Sequence, residues 1–277
     1  SNGAMFGYSY LNDGVRKLMR EFQDAYLTHV NPHTGLAYKD DPAVAALLLT
    51  NENDLTTHYL GLFVPGSGRP FHEGLLAREA REFAAQTGLP EAQTTAIGTW
   101  GPNQIFLAEM EHRFNAEMIA DVRRLGARAP LATTNYWGYP YFGGLAALTD
   151  GDVIDVHSYD EAEWLGTNPR SEANFAAWIG AGCVSGKPTT ITEWNVPFPA
   201  ADRFTTPLYT AALSAFQGWD APMIYNYAQE PLVTPGGPSV WSTFSDPSLA
   251  GVMPAAALLF RRSQVAPARG TVHLAMP

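Results

Sequence analysis

Apolar and polar positions alternate along this chain in two rhythms. Val15, Leu18, Met19, Phe22 and Leu27 recur at helical spacing behind Asn12-Asp13, which can cap a helix running to about His29, and Asn31-Pro32 ends it. A turn-rich loop, 31–42, leads into 43–50 (AVAALLLT), a continuous apolar run of the kind that marks a strand buried on both faces. Residues 71–88 read as a helix stopped by Gly88-Leu89-Pro90. Residues 103–125 carry the strongest amphipathic pattern, with Ile105, Leu107, Met110, Phe114, Met118, Ile119, Val122 and Leu125 on one face and Gly126 at the end.

From 130 onward the rhythm becomes regular. Strands are expected at 130–137, 151–159, 187–194 and 221–228, with helices at 171–182, 206–219 (Thr206 as cap) and 246–262. Strand–helix alternation predicts βαβ units around a parallel sheet, hence an α/β fold in a single domain, 1–277. Repeats and low-complexity segments are absent. The Pro/Gly clusters at 64–70 and 231–238 read as loops on the active face rather than as linkers.

The strands share a grammar at their carboxyl ends. They finish in Asn51-Glu52, Asn135-Tyr136-Trp137, His157-Ser158-Tyr159, Glu193-Trp194-Asn195 and Tyr225-Asn226-Tyr227. In parallel α/β sheets ligands bind off these ends, so the five endings are expected to meet at one face. Two of them deliver a glutamate. A pair of carboxyls, one protonated to serve the leaving oxygen and one ionised to attack or activate water, is the equipment of glycoside hydrolysis. Aromatic side chains suit the C–H faces of sugar rings, and Asn and His supply directional hydrogen bonds. A lone glutamate at a strand end is more often solvated or paired with arginine; two of them, each flanked by Asn within two positions, shift the balance toward chemistry. His157 shares a strand end with this face. His58, His72 and His112 read as loop or helix-surface groups, and His29 and His33 as local capping or surface groups.

Composition removes several alternatives. The 277 residues carry a net charge of −10 with no basic stripe, which argues against nucleic acid as a partner. Cys183 stands alone, so an intrachain disulfide and a cysteine zinc cage are excluded. No apolar run approaches the roughly 20 residues that cross a bilayer, so no membrane partner is expected. The opening Ser1-Asn2-Gly3 reads as the remnant of a cleaved tag, which leaves the compartment open. Residues 64–70 (VPGSGRP) lack the Lys-Ser/Thr of a phosphate loop, and a Gly-x-Ser-x-Gly elbow is absent. Asp40, Asp41 and Asp54 match no metal-ligand spacing, and Asp40-Asp41-Pro42 is good turn chemistry. An esterase or metal-dependent hydrolase is therefore poorly served.

Several stretches resemble the retaining (β/α)8-barrel glycoside hydrolases of clan A, the cellulase-like group (glycoside hydrolase family 5-like). LTNEN (49–53) is similar to that clan's strand-four ending, DVHSY (155–159) to its strand-six ending and ITEWN (191–195) to its strand-seven ending. Residues 28–53 and 253–262 are similar to bacterial members of a cellulase-like branch, and the likeness extends over nearly the whole chain. It implies a TIM-barrel-like fold and a retaining β-glycoside hydrolase with no metal or organic cofactor. Glu52 would be the acid/base and Glu193 the nucleophile. Asn51 would bind the sugar hydroxyl beside the anomeric carbon, and His157 or Tyr159 would orient Glu193 or touch substrate. Trp137, Trp194 and Trp241 would stack on sugar, with Asn135 and Tyr227 completing the substrate-binding set.

One departure is large. A barrel of about 250 residues has eight βα units, yet only 51 residues precede Glu52, and they read as one helix and one loop. The expectation is a partial barrel comprising strands four to eight, with 270–277 as the possible start of a further strand. Open edges at 43–50 and 221–227 would invite pairing, so a homodimer or a swapped assembly covering them is expected. The rival reading is a catalytically impaired barrel fragment that binds carbohydrate without cutting it. Glucose-, mannose-, xylose- and galactose-based substrates all stay open.

Overall fold

The computed structural model describes residues 6–56, 58–98, 100–137, 142–160, 174–232 and 237–275. The chain divides into two compact units, Ser1–Val153 and Ile154–Pro277.

In the first unit α1 (Asp13–Thr28) starts where expected. The Asn12 side chain accepts the N–H groups of Gly14 and Val15 at 2.9 and 3.3 Å, satisfying donors that the first turn leaves open. Strand β1 (Leu47–Leu48) is followed by α2 (Pro70–Thr87), the short α3 (Glu91–Thr94) and α4 (Pro102–Arg124). Proline opens α2 and α4, where its missing N–H costs nothing, and Gly88 closes α2 at φ 75. Then come β2 (Leu131–Ala132), β3 (Asn135–Tyr136) and the one-turn α5 (Leu145–Leu148). The core gathers Tyr10, Leu55, Phe63, Leu76, Phe106, Leu107, Phe114 and Met118, so α4 supplies much of it.

Two expectations change here. The 43–50 run shortens to a two-residue strand parallel to β2, with Leu47 opposite Leu131. It is not buried on both faces: Ala45, Ala46 and Leu48 are exposed. The pairing does continue irregularly toward the site, through Leu49 N–H to the Ala132 carbonyl and Thr50 N–H to the Thr133 carbonyl, both 3.0 Å. On α4, Phe106 is buried and Ile105 is exposed, because the stripe is centred on Asn103, Leu107, Met110, Phe114 and Met118. Ile105 lies about 200° around the helix from Leu107.

In the second unit β4 (Ile154–Tyr159), β5 (Thr189–Asn195) and β6 (Asp220–Ile224) pair side by side, all parallel. Helix α6 (Phe175–Ala181) connects β4 to β5, and α7 (Thr206–Gln217) connects β5 to β6. Helix α8 (Pro247–Arg261) packs on α7 and is capped by Asp246, which accepts the Ser248 N–H at 2.8 Å. The expected start of α6 at 171–173 lies outside the described residues. Thr206 is not the cap of α7. It is the first helical residue, and its hydroxyl donates to the Arg203 carbonyl at 2.6 Å. Strand β6 ends at Ile224, before a cis Tyr225–Asn226 peptide. Among the described residues 270–275 forms no strand, and Val272 is 97% exposed. No helix among the described residues is long and apolar enough to cross a membrane.

Candidate active site

In the first unit, Glu52 follows β1 with φ 47, a left-handed conformation that a side-chain-bearing residue rarely adopts. Such conformations persist only where the surroundings over-determine them, and here they do. The Glu52 N–H donates to the Asn135 side chain at 2.7 Å. Asn53 is 4% exposed; its N–H donates to the Thr134 hydroxyl at 3.0 Å. Its side-chain oxygen accepts the Gly7 N–H at 2.6 Å, its amide donates to Ser9 at 3.2 Å, and the Tyr10 phenol donates to its carbonyl. Asn51 is exposed beside an apolar groove.

Asp54 comes next. One of its oxygens accepts the Trp137 indole N–H at 3.1 Å and lies 2.5 Å from His58 Nδ1; the other accepts the His58 backbone N–H at 3.0 Å. A carboxylate at that distance assigns the proton to Nδ1. The His58 ring lies flat on Trp137, with centroids 3.5 Å apart and planes 10° apart. His58, which reads as an ordinary loop residue in the sequence, is thus part of a rigid aromatic platform. Below it Glu111 Oε1 accepts the N–H groups of Leu55 and Thr56 at 2.5 and 2.9 Å. Burial, then the nearby charge of Asp54, pushes the Glu111 carboxyl up to about 8. Sequence reading missed Glu111. The available signal was an acid sitting in the apolar stripe between Leu107 and Phe114. Asp40 and Asp41 have separate uses, pairing with Lys39 and closing a turn onto the Ala43 N–H.

In the second unit, register places His157 opposite Glu193 and Tyr159 opposite Asn195. The Tyr159 phenol donates to Glu193 Oε2, and His157 Nδ1 lies 3.6 Å from the same oxygen. His157 Nε2 sits 2.9 Å from the Thr192 hydroxyl and 3.5 Å from Asp155, whose carboxylate also accepts from Thr190 and Thr192 at 2.5 and 2.6 Å. The histidine ring is therefore fixed from both ends. Trp241 and Tyr225 meet the Tyr159 ring edge-on at 5.0 and 6.1 Å.

Asn195, fully buried, ties this group together. Its amide donates to the carbonyls of Tyr225 and Trp241, the latter at 2.9 Å, while its oxygen accepts the Val196 N–H at 2.8 Å. Backbone bonds from Asn226 to Trp241, Thr243 to Asn226 and Phe244 to Tyr227 seat the Trp241 loop on the end of β6. Two expected sugar contacts lie elsewhere. Trp194 is 2% exposed and parallel to Phe175, because neighbouring residues on a strand point to opposite faces and Glu193 takes the other. Tyr227 is exposed and packs on Phe244.

Parallel strands joined by helices, with acids and aromatics collected at their carboxyl ends, define an α/β protein of TIM-barrel-like fold. Among solved structures the chain is similar to an endo-beta-1,4-mannanase from Thermotoga petrophila, a TIM-barrel glycoside hydrolase. Identity is 16%, the TM-score is 0.53, and the match covers 92% of this chain and 52% of that one. The likeness shows a shared fold, and the chain spans about half the length of the structure it matches. No family model and no curated protein sequence matches the chain.

Proposed function

We propose that the chain is a retaining β-glycoside hydrolase acting on a β-linked oligo- or polysaccharide, with Glu193 as nucleophile and Glu52 as acid/base. Both compact units then belong to one catalytic domain, a cellulase-like, family 5-like barrel comprising strands four to eight. One observation carries the reading: at the carboxyl end of a parallel strand, the Glu193 carboxylate is held by the Tyr159 phenol with His157 beside it. A fixed carboxylate oxygen is what a nucleophile must offer.

The steps follow. A Glu193 oxygen bonds to the anomeric carbon as the bond to the leaving oxygen breaks, and Glu52 gives that oxygen its proton. Glu52, now a base, takes a proton from water, which displaces Glu193 and restores both groups. Retention requires the two carboxyls to work at about 5–5.5 Å. The platform of Trp137 and the Tyr159–Trp241 group offer sugar-stacking faces. Mannan leads the candidate substrates because the matched structure is a mannanase.

A second reading, sugar binding without turnover, is favoured by the shortness of β1, Leu47–Leu48, which leaves Glu52 on an irregular segment four residues beyond the strand. Hydrolysis of mannan, glucan, xylan and aryl β-glycosides, measured for wild type beside Glu193→Gln and Tyr159→Phe, separates the two. Turnover is expected for wild type, a loss of at least about 10³-fold in Glu193→Gln, and one of about 10–100-fold in Tyr159→Phe, the worth of a charge-assisted hydrogen bond. Sugar binding with no turnover by folded wild type would leave the second reading standing.

A further inference from the structure

The segment that carries Glu52 is gripped from beneath by one helix side chain. Glu111 reaches up from α4, 2% exposed, and one of its oxygens takes both the Leu55 and Thr56 N–H groups. With Asn135 and Thr134 holding the N–H groups of Glu52 and Asn53, the backbone donors of residues 52, 53, 55 and 56 are fixed by three side chains, one from α4 and two from the segment that follows β2. Glu111 also has Asp54 as a near neighbour, and Asp54 is what holds Trp137 and His58 together. A cavity of about 20 Å³, lined by Asp54, Thr56, Glu111, Asn135, Trp137 and Gly144, joins these groups. The two carboxyls that meet there are both buried, Glu111 2% and Asp54 7% exposed. Gly144 keeps the space open, since a Cβ there would come within 2.7 Å of the Thr56 hydroxyl oxygen and 3.5 Å of Glu111 Oε2.

We propose that Glu111 is a positioning residue that sets the Glu52 segment and the Trp137–His58 platform, and that placing a charge on Glu111 loosens both. The inference rests on the reading of Glu52 as acid/base. The physical cause is like-charge repulsion between two buried carboxylates. A neutral Glu111 tolerates an ionised Asp54; two carboxylates there repel, and the Asp54 contacts to Trp137 and His58 loosen. The titratable groups facing Glu111 are Asp54, with His58 behind it, and the phenol of Tyr10, whose own ionisation is pushed up by burial and by Glu111 and Asp54. Tyr136 lines the same cavity.

The test uses Trp137 fluorescence, assigned by subtracting the Trp137→Phe spectrum, titrated from pH 6 to 9.5 at constant salt. Wild type should show a reversible transition near pH 8, the value to which Glu111 is raised. Glu111→Gln, which keeps an oxygen for Leu55 and Thr56 and carries no charge, should abolish it with unchanged far-UV circular dichroism. Asp54→Asn, which removes the facing charge, should move the midpoint down by about one pH unit or more. A wild-type signal flat across the range, or an identical transition in Glu111→Gln, overturns the proposal. If Glu111→Gln does not fold, an unmoved midpoint in Asp54→Asn overturns it. Where turnover is found, kcat should fall along the same transition in wild type and not in Glu111→Gln. Absence of turnover refutes the hydrolase reading alone, because the fluorescence arm judges Glu111 without it.

Discussion

Asn195→Asp puts the logic of the second unit to a severe test, because it exchanges one NH₂ for one oxygen and changes nothing in volume. The native amide donates to two buried carbonyls, those of Tyr225 and Trp241. A carboxylate cannot donate to either. Two hydrogen bonds of about 1 kcal/mol each disappear, and an unpaired charge is left facing carbonyl oxygens at a fully buried position, so the total loss is about 3–5 kcal/mol at pH 7. The pH dependence has a definite sign. Burial raises the new carboxyl in the folded state above its unfolded value of about 4. The penalty is therefore small below about pH 4, where the group is neutral in both states, and grows as pH rises through the folded value. Urea unfolding followed by tryptophan fluorescence at pH 4.5 and pH 7 measures it. With a slope of about 2 kcal/mol per molar urea, the midpoint at pH 7 should fall by roughly 2 M, with part of that recovered at pH 4.5. A variant within about 0.5 kcal/mol of wild type at pH 7 would refute the claim that this amide ties the two segments together.

Two further outcomes are expected. Asn12→Ala removes the acceptor for the Gly14 and Val15 N–H groups and should cost about 1 kcal/mol in thermal unfolding, with Asn12→Ser recovering most of it; an unchanged melt would show the cap to be idle. The groove of about 520 Å³ lined by Val15, Leu18, Met19, Phe22 and Leu48 runs along the open side of β1, with Phe22 68% exposed, so the chain should self-associate over it. Light scattering should give a dimer for wild type and a monomer for Phe22→Glu, and a monodisperse wild-type monomer refutes the expectation.

The helices were legible because their punctuation is local. Asn12, Gly88, Gly218 and Asp246 end or begin them as their chemistry requires. Strand length was not legible. An apolar run states that a strand can form, but its extent is set by partners far along the chain. Leu47 and Leu48 meet β2 and the alanines before them meet nothing that buries them. The strand-end grammar put His157, Tyr159 and Glu193 in the last residues of β4 and β5 and Glu52 just past β1, where they stand, because carboxyl-terminal position is itself a sequence property. Glu111 and His58 escaped it. Their roles depend on contacts distant in sequence, Glu111 of α4 against Leu55 and Thr56 and His58 against Trp137, which periodicity does not encode. Trp194 could have been placed correctly, since strand alternation already separates it from Glu193.

The asparagines at the strand ends have a use that neither composition nor resemblance suggests. Asn53 follows Glu52 by one residue and Asn195 follows Glu193 by two, and both are buried. Each side chain accepts one backbone N–H while its amide group donates: Asn53 to Ser9, with Gly7 donating to it, and Asn195 to two carbonyls, with Val196 donating to it. Only a side chain that donates and accepts at once can bridge such mixed partners; an aspartate donates nothing and a leucine does neither. The need is sharpest at Glu52, where a left-handed backbone costs about 1–3 kcal/mol and must be over-determined by its neighbours. A buried amide next to each acid therefore lets the strand end be held by neutral groups. At these two positions the backbone next to the acid is tied by an uncharged side chain, while the charged neighbours Asp54 and Asp155 act one step further out, through His58, Trp137 and His157.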